Sequence, residues 1–168
     1  MVDLLAGDSA LAGANLLVVG DGPGRADLER RAQELGVAER VWVTGLAERH
    51  ALAGYISHFD IALQPEVTAY ASPLKLFEYM ALARAIIAPD APNIREILTH
   101  GADALLFEPN NPDSLAAAIR ALVGDAGLRQ RLGAGAADKI AREDISWRRN
   151  ARRAVSLIRS AQAGRKKS

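Results

Sequence analysis

Leu16-Leu17-Val18-Val19-Gly20-Asp21-Gly22-Pro23-Gly24 is the stretch that decides the fold. Four apolar residues in a row, without alternation, read as a strand buried on both faces, which is what a parallel sheet requires. The glycines then turn the chain sharply, and a helical pattern occupies residues 25–35. The same strand, turn and helix recur downstream. Val41-Trp42-Val43, Ile61-Ala62-Leu63, Ala85-Ile86-Ile87-Ala88 and Ala104-Leu105-Leu106-Phe107 are the further apolar runs. Helical patterns at 48–58, 74–82 and 94–100 lie between them, and each connection is long enough for a right-handed crossover. The fold class is therefore α/β, a doubly wound parallel sheet of about five strands.

Local chemistry marks the boundaries. Gly36 and Gly101 stand where a helix end favours the left-handed conformation. Ser72-Pro73 reads as a capping serine followed by a proline in the first helical position. Asn111 or Asp113 caps the next helix, beside Pro112. Beyond Gly124 the pattern is helical throughout, over 126–141 and then 145–160. Upstream, residues 2–12 read as a helix, although a doubly wound unit normally opens on a strand. We expect a nucleotide-binding unit over 1–141, with 142–168 as a basic C-terminal helix and tail of the same domain.

The chain has 168 residues, of which 49% are hydrophobic and 24% charged, an ordinary globular composition for one domain. The absence of cysteine removes disulfides, thiol nucleophiles and thiolate metal sites together. No apolar run approaches the roughly 20 residues of a membrane span. The start, Met1-Val2-Asp3-Leu4-Leu5, has no signal-peptide pattern, so a cytoplasmic location is expected. Net charge is +1 but unevenly spread: residues 142–168 hold nine Arg or Lys against two acidic residues. Residues 1–141 hold 12 basic and 18 acidic residues. The basic end is either a solvated helix face or a contact for phosphate, an anionic membrane surface or an acidic neighbour.

Ligands of such sheets bind beyond the carboxyl ends of the strands. The glycines from Gly20 to Gly24 allow close backbone approach, or simply a tight turn. Their spacing is not G-x-G-x-x-G, Val43-Thr44-Gly45 brings no acidic residue for an NAD ribose, and no phosphate-binding P-loop motif occurs. The strongest constellation is Ser72-Pro73-Leu74-Lys75-Leu76-Phe77-Glu78-Tyr79-Met80-Ala81. A helix starting there leaves the amides of Leu74 and Lys75 unpaired and, with the helix dipole, suited to a diphosphate. Glu78, one turn further, can reach ribose hydroxyls beside those phosphates. Phe77, Met80 and Leu82 read as core.

Gly20-Asp21-Gly22-Pro23, Val43-Thr44-Gly45, residues 72–81, Ala88-Pro89-Asp90, Asn93 to Ile97 and Leu106-Phe107-Glu108-Pro109 together resemble the glycosyltransferase group 1 pattern. That is the large retaining family of GT-B architecture, and the likeness runs in order over nearly the whole chain. It implies that the chain is the Rossmann-like, donor-binding half of such an enzyme. By that resemblance Gly20, Gly22 and Pro23 border the donor cleft, and Thr44 and Gly45 lie near the nucleotide base. Ser72, Pro73, Leu74 and Lys75 face the diphosphate. Glu78 resembles the second glutamate of the family's E-x7-E motif, which binds ribose. Eight residues earlier, where the first glutamate would serve the donor sugar, stands Tyr70, the candidate donor-sugar contact.

The resemblance further implies transfer of a sugar, of hexosyl type, from a UDP- or GDP-sugar to a glycan or lipid-linked acceptor. It implies no separate cofactor, no metal and no nucleic-acid partner, and no catalytic residue is assigned. The family's cationic strand end and its N-terminal acceptor domain have no counterpart in these residues. None of His50, His58 and His100 matches that domain's histidine. The acceptor domain is thus an expected partner, and the chain alone is expected to be inactive. A non-catalytic nucleotide-binding or protein-interaction module of the same fold is the alternative.

Overall fold

Ala85–Pro89 forms β4, and all five of its residues are buried. Successive side chains of a strand point to opposite faces. Ile86 and Ala88 accordingly pack with Leu76, Met80, Ile94, Leu98 and Ala136, while Ala85 and Ile87 pack with Leu11, Phe107, Ile119, Leu122 and Leu132. A strand sealed on both faces is the centre of a doubly wound sheet, as its continuous apolar run predicts. The computed structural model describes residues 1–66 and 73–165.

Among the described residues there are five parallel strands: β1 (Leu16–Val18), β2 (Val41–Val43), β3 (Ile61–Leu63), β4 and β5 (Leu105–Phe107). They form two hydrogen-bonded sets rather than one continuous sheet. β1 pairs with β2 in register Leu17↔Trp42, and β4 stands between β3 and β5 in registers Ala62↔Ile86 and Ala88↔Leu106. Apolar run lengths identify strands but carry no information about which edge each presents to its neighbours.

The helices are α1 (Val2–Gly7), α2 (Arg25–Glu34), α3 (Leu52–Ser57), α4 (Leu74–Ala81), α5 (Pro92–Arg95), α6 (Pro112–Gly124), α7 (Ala126–Glu143) and α8 (Trp147–Arg165). Three are shorter than their sequence patterns. The helix expected over 2–12 breaks at Asp8, whose carboxylate accepts from the Ala10 amide and starts a separate 3-10 turn at Ser9–Leu11. α3 occupies only part of 48–58, and α5 only the start of 94–100. Asn111 is the cap of α6, accepting from the Ser114 amide at 3.0 Å. Gly36, just past the end of α2, takes φ of +69° as expected of a helix-end glycine; Gly101 is also left-handed at +75°, but because α5 ends at Arg95 it lies in the turn before β5 and closes no helix.

α7 holds the second half of the molecule together. A Cβ at Gly133 would lie 2.2 Å from the Ala83 carbonyl oxygen, and one at Gly135 would lie 2.3 Å from that of Ala102. The two glycines let the helix lie directly on the backbone that leaves α4 and on the backbone that enters β5. Lys139, also on α7, meets the buried carboxylate of Asp103 at 3.3 Å, and Asp103 accepts the Thr99 amide at 2.6 Å. Such a buried charge is tolerated only when paired and hydrogen-bonded. Among the described residues, no helix is long and apolar enough to cross a membrane.

Candidate functional site

Because the strands in each set run parallel, their carboxyl ends share one edge, and the loops that follow them carry the expected ligand residues. The first group forms where β1 and β2 end. The Thr44 amide donates to the Val18 carbonyl at 3.0 Å, extending the pairing by one residue. Gly20 then bridges to Gly45 in the antiparallel sense, and its amide donates to Thr44 Oγ1 at 3.4 Å. Gly20 and Gly45 have φ of +136° and +73°, conformations that exclude most side chains, so glycine is required at both. Of the residues expected to border the donor, Gly20, Thr44 and Gly45 are therefore brought together by one crossing of two loops, and Gly22 and Pro23 follow in the first of those loops.

That crossing also recruits a residue the sequence reading missed. A Cβ at Gly45 would lie 3.3 Å from Arg25 Nη1, so the guanidinium lies over the glycine. Glu29 holds it there at 2.8 Å across one helical turn. The i,i+4 spacing of Arg25 and Glu29 was a visible signal for the pair, but the position over Gly45 depends on β1–β2 pairing. Leu46, next in the chain, is 89% exposed.

The second group is the start of α4. Pro73 is buried with ψ of +82°, so it takes the capping position and the helix begins at Leu74. This corrects the expectation of proline as the first helical residue: its ψ is not helical. The Leu76 amide closes the first turn on the Pro73 carbonyl at 3.0 Å, leaving Leu74 and Lys75 as the amides at the open end. Leu74, Lys75 and Glu78 are exposed, whereas Leu76, Tyr79 and Met80 are buried. Phe77 and Leu82 pack on the core as expected. Tyr70 and Ser72 lie outside the described residues.

Asp90, just past β4, continues the rim. Its amide donates to the Phe107 carbonyl at 2.7 Å, and its carboxylate accepts from Arg95 Nε at 2.5 Å and Nη2 at 2.6 Å. The Arg95 guanidinium holds the Asp90 carboxyl below its ordinary value. Among the described residues, no hydrogen bond or ion pair joins the Gly20–Gly45 group to the start of α4. Each group is built by its own set of strands.

Residues 2–125 match the family described as Glycosyl transferases group 1. The chain is 35% identical over 127 residues to the lipopolysaccharide core biosynthesis glycosyltransferase LpsD of Rhizobium meliloti, covering 74% of this chain and 36% of LpsD. Among solved structures, Anabaena HepE in complex with UDP superposes with a TM-score of 0.80 at 20% identity, covering 95% of this chain and 44% of HepE. The C-terminal domain of the group 1 family protein LpcC from Francisella tularensis superposes with a TM-score of 0.74 at 20% identity. It covers 86% of this chain and 76% of that domain. The fold is thus shared with both, while the chain spans about a third of LpsD.

Proposed function

Because this chain belongs to the group 1 glycosyltransferases, we propose that it is the donor-binding half of a retaining glycosyltransferase, holding a UDP- or GDP-sugar. The observation that carries the reading is the start of α4. The open amides of Leu74 and Lys75 suit a diphosphate, with the helix dipole and the Lys75 ammonium adding positive potential. Glu78, exposed one turn further, suits the ribose hydroxyls. On the other group, Gly20, Gly22, Pro23, Thr44 and Gly45 offer backbone to the nucleotide, and Leu46 offers apolar surface to a base. Ser72 and Tyr70, the candidate donor-sugar contact, complete the proposed donor set by the family resemblance alone. HepE, of the same fold, was solved with UDP, which supports a nucleotide ligand here.

In the proposed reaction, an acceptor oxygen bonds to the anomeric carbon as that carbon's bond to the diphosphate breaks, with configuration kept. The electron pair of the broken bond leaves on the nucleoside diphosphate, whose departing oxygen takes the proton of the acceptor hydroxyl. The amides and dipole of α4 stabilise that growing charge, which is where such a site lowers the barrier. No metal is required by this scheme. A glycan or lipid-linked acceptor agrees with the role named for LpsD, and the transfer we propose is of hexosyl type. The acceptor domain is the partner that turnover needs, so this chain alone is expected to bind donor without consuming it. A cytoplasmic location, where nucleotide sugars are held, accompanies the reading.

Calorimetric titration with UDP, GDP, UDP-glucose and GDP-mannose tests it. At least one should bind with Kd between about 10 μM and 1 mM. Glu78→Ala should weaken that ligand roughly tenfold, as loss of a charged hydrogen bond does, and should erase the preference for a ribose over a 2′-deoxyribose nucleotide. No binding at millimolar ligand overturns the donor site. Tyr70, standing where the resemblance expects a glutamate, favours one second reading, a non-catalytic nucleotide-binding or protein-interaction module. Binding that never gives transfer when an acceptor domain is supplied would select it.

A further inference from the structure

The proposed donor set does not use Arg25. This residue opens α2 directly behind the glycine loop, and its amide donates to the Gly22 carbonyl at 3.1 Å. Its side chain turns back across the loop, so that Nη1 stands 3.3 Å from where a Cβ of Gly45 would be. Nε donates to Glu29 Oε1 at 2.8 Å, one turn along the same helix face. That bond engages the inner donor of the guanidinium and fixes its plane. The outer edge, Nη1 and Nη2, carries the remaining N–H donors. Among the described residues none of these meets an acceptor, and the side chain is 41% exposed.

The polar side chains around it are already engaged. Thr44 Oγ1 accepts from the Gly20 amide at 3.4 Å and donates to the Gly45 carbonyl at 3.0 Å. Asp21 Oδ1 closes on the Gly22 amide at 2.8 Å. What stands open at the crossing is a planar pair of cationic donors above bare backbone, followed in the chain by the exposed Leu46. Such a fork matches two adjacent acceptors in one plane, a geometry that the point charge of a lysine does not reproduce. The diphosphate is assigned to the start of α4, which belongs to the other set of strands. The part of a nucleotide left for Arg25 is the base.

Nucleobases differ in which acceptors lie side by side. Guanine places two, O6 and N7, together on one edge, whereas adenine and cytosine carry an amino donor there. Thymine offers the single acceptor O4 on that edge, and so does uracil, which is thymine without the methyl group. We propose that Arg25 is a specificity-determining residue that reads guanine through O6 and N7, so that the donor held by this chain is a GDP-sugar. The inference rests on the donor reading above and narrows it to one base. Nη1 and Nη2 donate to the two acceptors. Glu29 is the positioning residue: by occupying Nε it keeps the outer edge of the guanidinium over Gly45. With uracil in the same place, one terminal nitrogen would have only water to meet.

Calorimetric titration of the full chain with GDP, UDP and two altered guanine nucleotides tests this. GDP should bind roughly tenfold tighter than UDP, the order expected of one bidentate charged contact. Inosine diphosphate keeps O6 and N7 and should bind like GDP. A GDP analogue with carbon in place of N7 should fall most of the way to UDP. Arg25→Lys keeps the charge but not the fork, so it should remove the preference for GDP and leave UDP affinity within about twofold. Glu29→Gln should shrink the preference several-fold at unchanged UDP affinity, a change of ratio that a merely structural role would not produce. GDP and UDP bound equally, or UDP bound tighter, overturns the assignment of Arg25 while the donor site stands. A preference that survives Arg25→Lys overturns it too. An equal loss of GDP and UDP in that variant overturns it in favour of a contact with the phosphates. No binding of any of the four nucleotides overturns the donor site and this inference together.

Discussion

Asp90 and Arg95 illustrate how much a single pair contributes at the rim of the site. Two hydrogen bonds from Arg95 hold the Asp90 carboxyl below its ordinary value. Ionised Asp90 is thus favoured in the folded chain, so the pair's contribution is complete above the ordinary carboxylate range of about 4 and fades as pH falls through the lowered value. Arg95→Leu should therefore lower the melting temperature by about 2 °C or less at pH 7, as expected of an exposed pair, and leave it unchanged at about pH 2. Thermal melts at the two pH values measure this. Glu78 and Lys75 were legible in sequence because a helix start fixes which residues of its first turns face outward. Arg25 over Gly45 was not legible, since their contact depends on strand pairing that brings together residues twenty positions apart.

Among the elements, α7 is the one whose sequence understates its role. Gly133 and Gly135 look like weak points in a helix, where glycine costs about 1 kcal/mol against alanine. Here each stands against a carbonyl, and Gly133→Ala would drive a methyl to 2.2 Å from Ala83 O. We expect that substitution to destabilise the fold by about 3 kcal/mol, the opposite sign to its effect in an exposed helix, and urea unfolding reads it directly. The strands were legible because short apolar runs recur between turn signals and helical patterns, a context that separates a buried strand from a buried helix segment. The short helices were less so. Leu98 is buried and keeps the helical spacing from Ile94, yet α5 ends at Arg95 and the following loop is held by Asp103 and Lys139 instead. Tertiary ties at 99–103 outweighed a local pattern that pointed to a longer helix.

At the scale of the whole molecule, the near-neutral total conceals an acidic body joined to a helix of exposed arginines. The body is itself divided. β1 and β2 have no fully buried residue, whereas β4 is buried along its whole length. Amides of buried, well-packed strands open only with the global transition, while half-exposed ones open locally. Hydrogen exchange should therefore separate the two sets in time, with Leu17 and Val43 exchanging at least tenfold faster than Ile86 and Ile87, and equal protection would contradict it. The consequence is a clock for occupancy. A ligand held by both the Gly20–Gly45 crossing and the start of α4 would be released whichever set opened, so its arrival would be read as both rates falling by one common factor set by its concentration over its Kd.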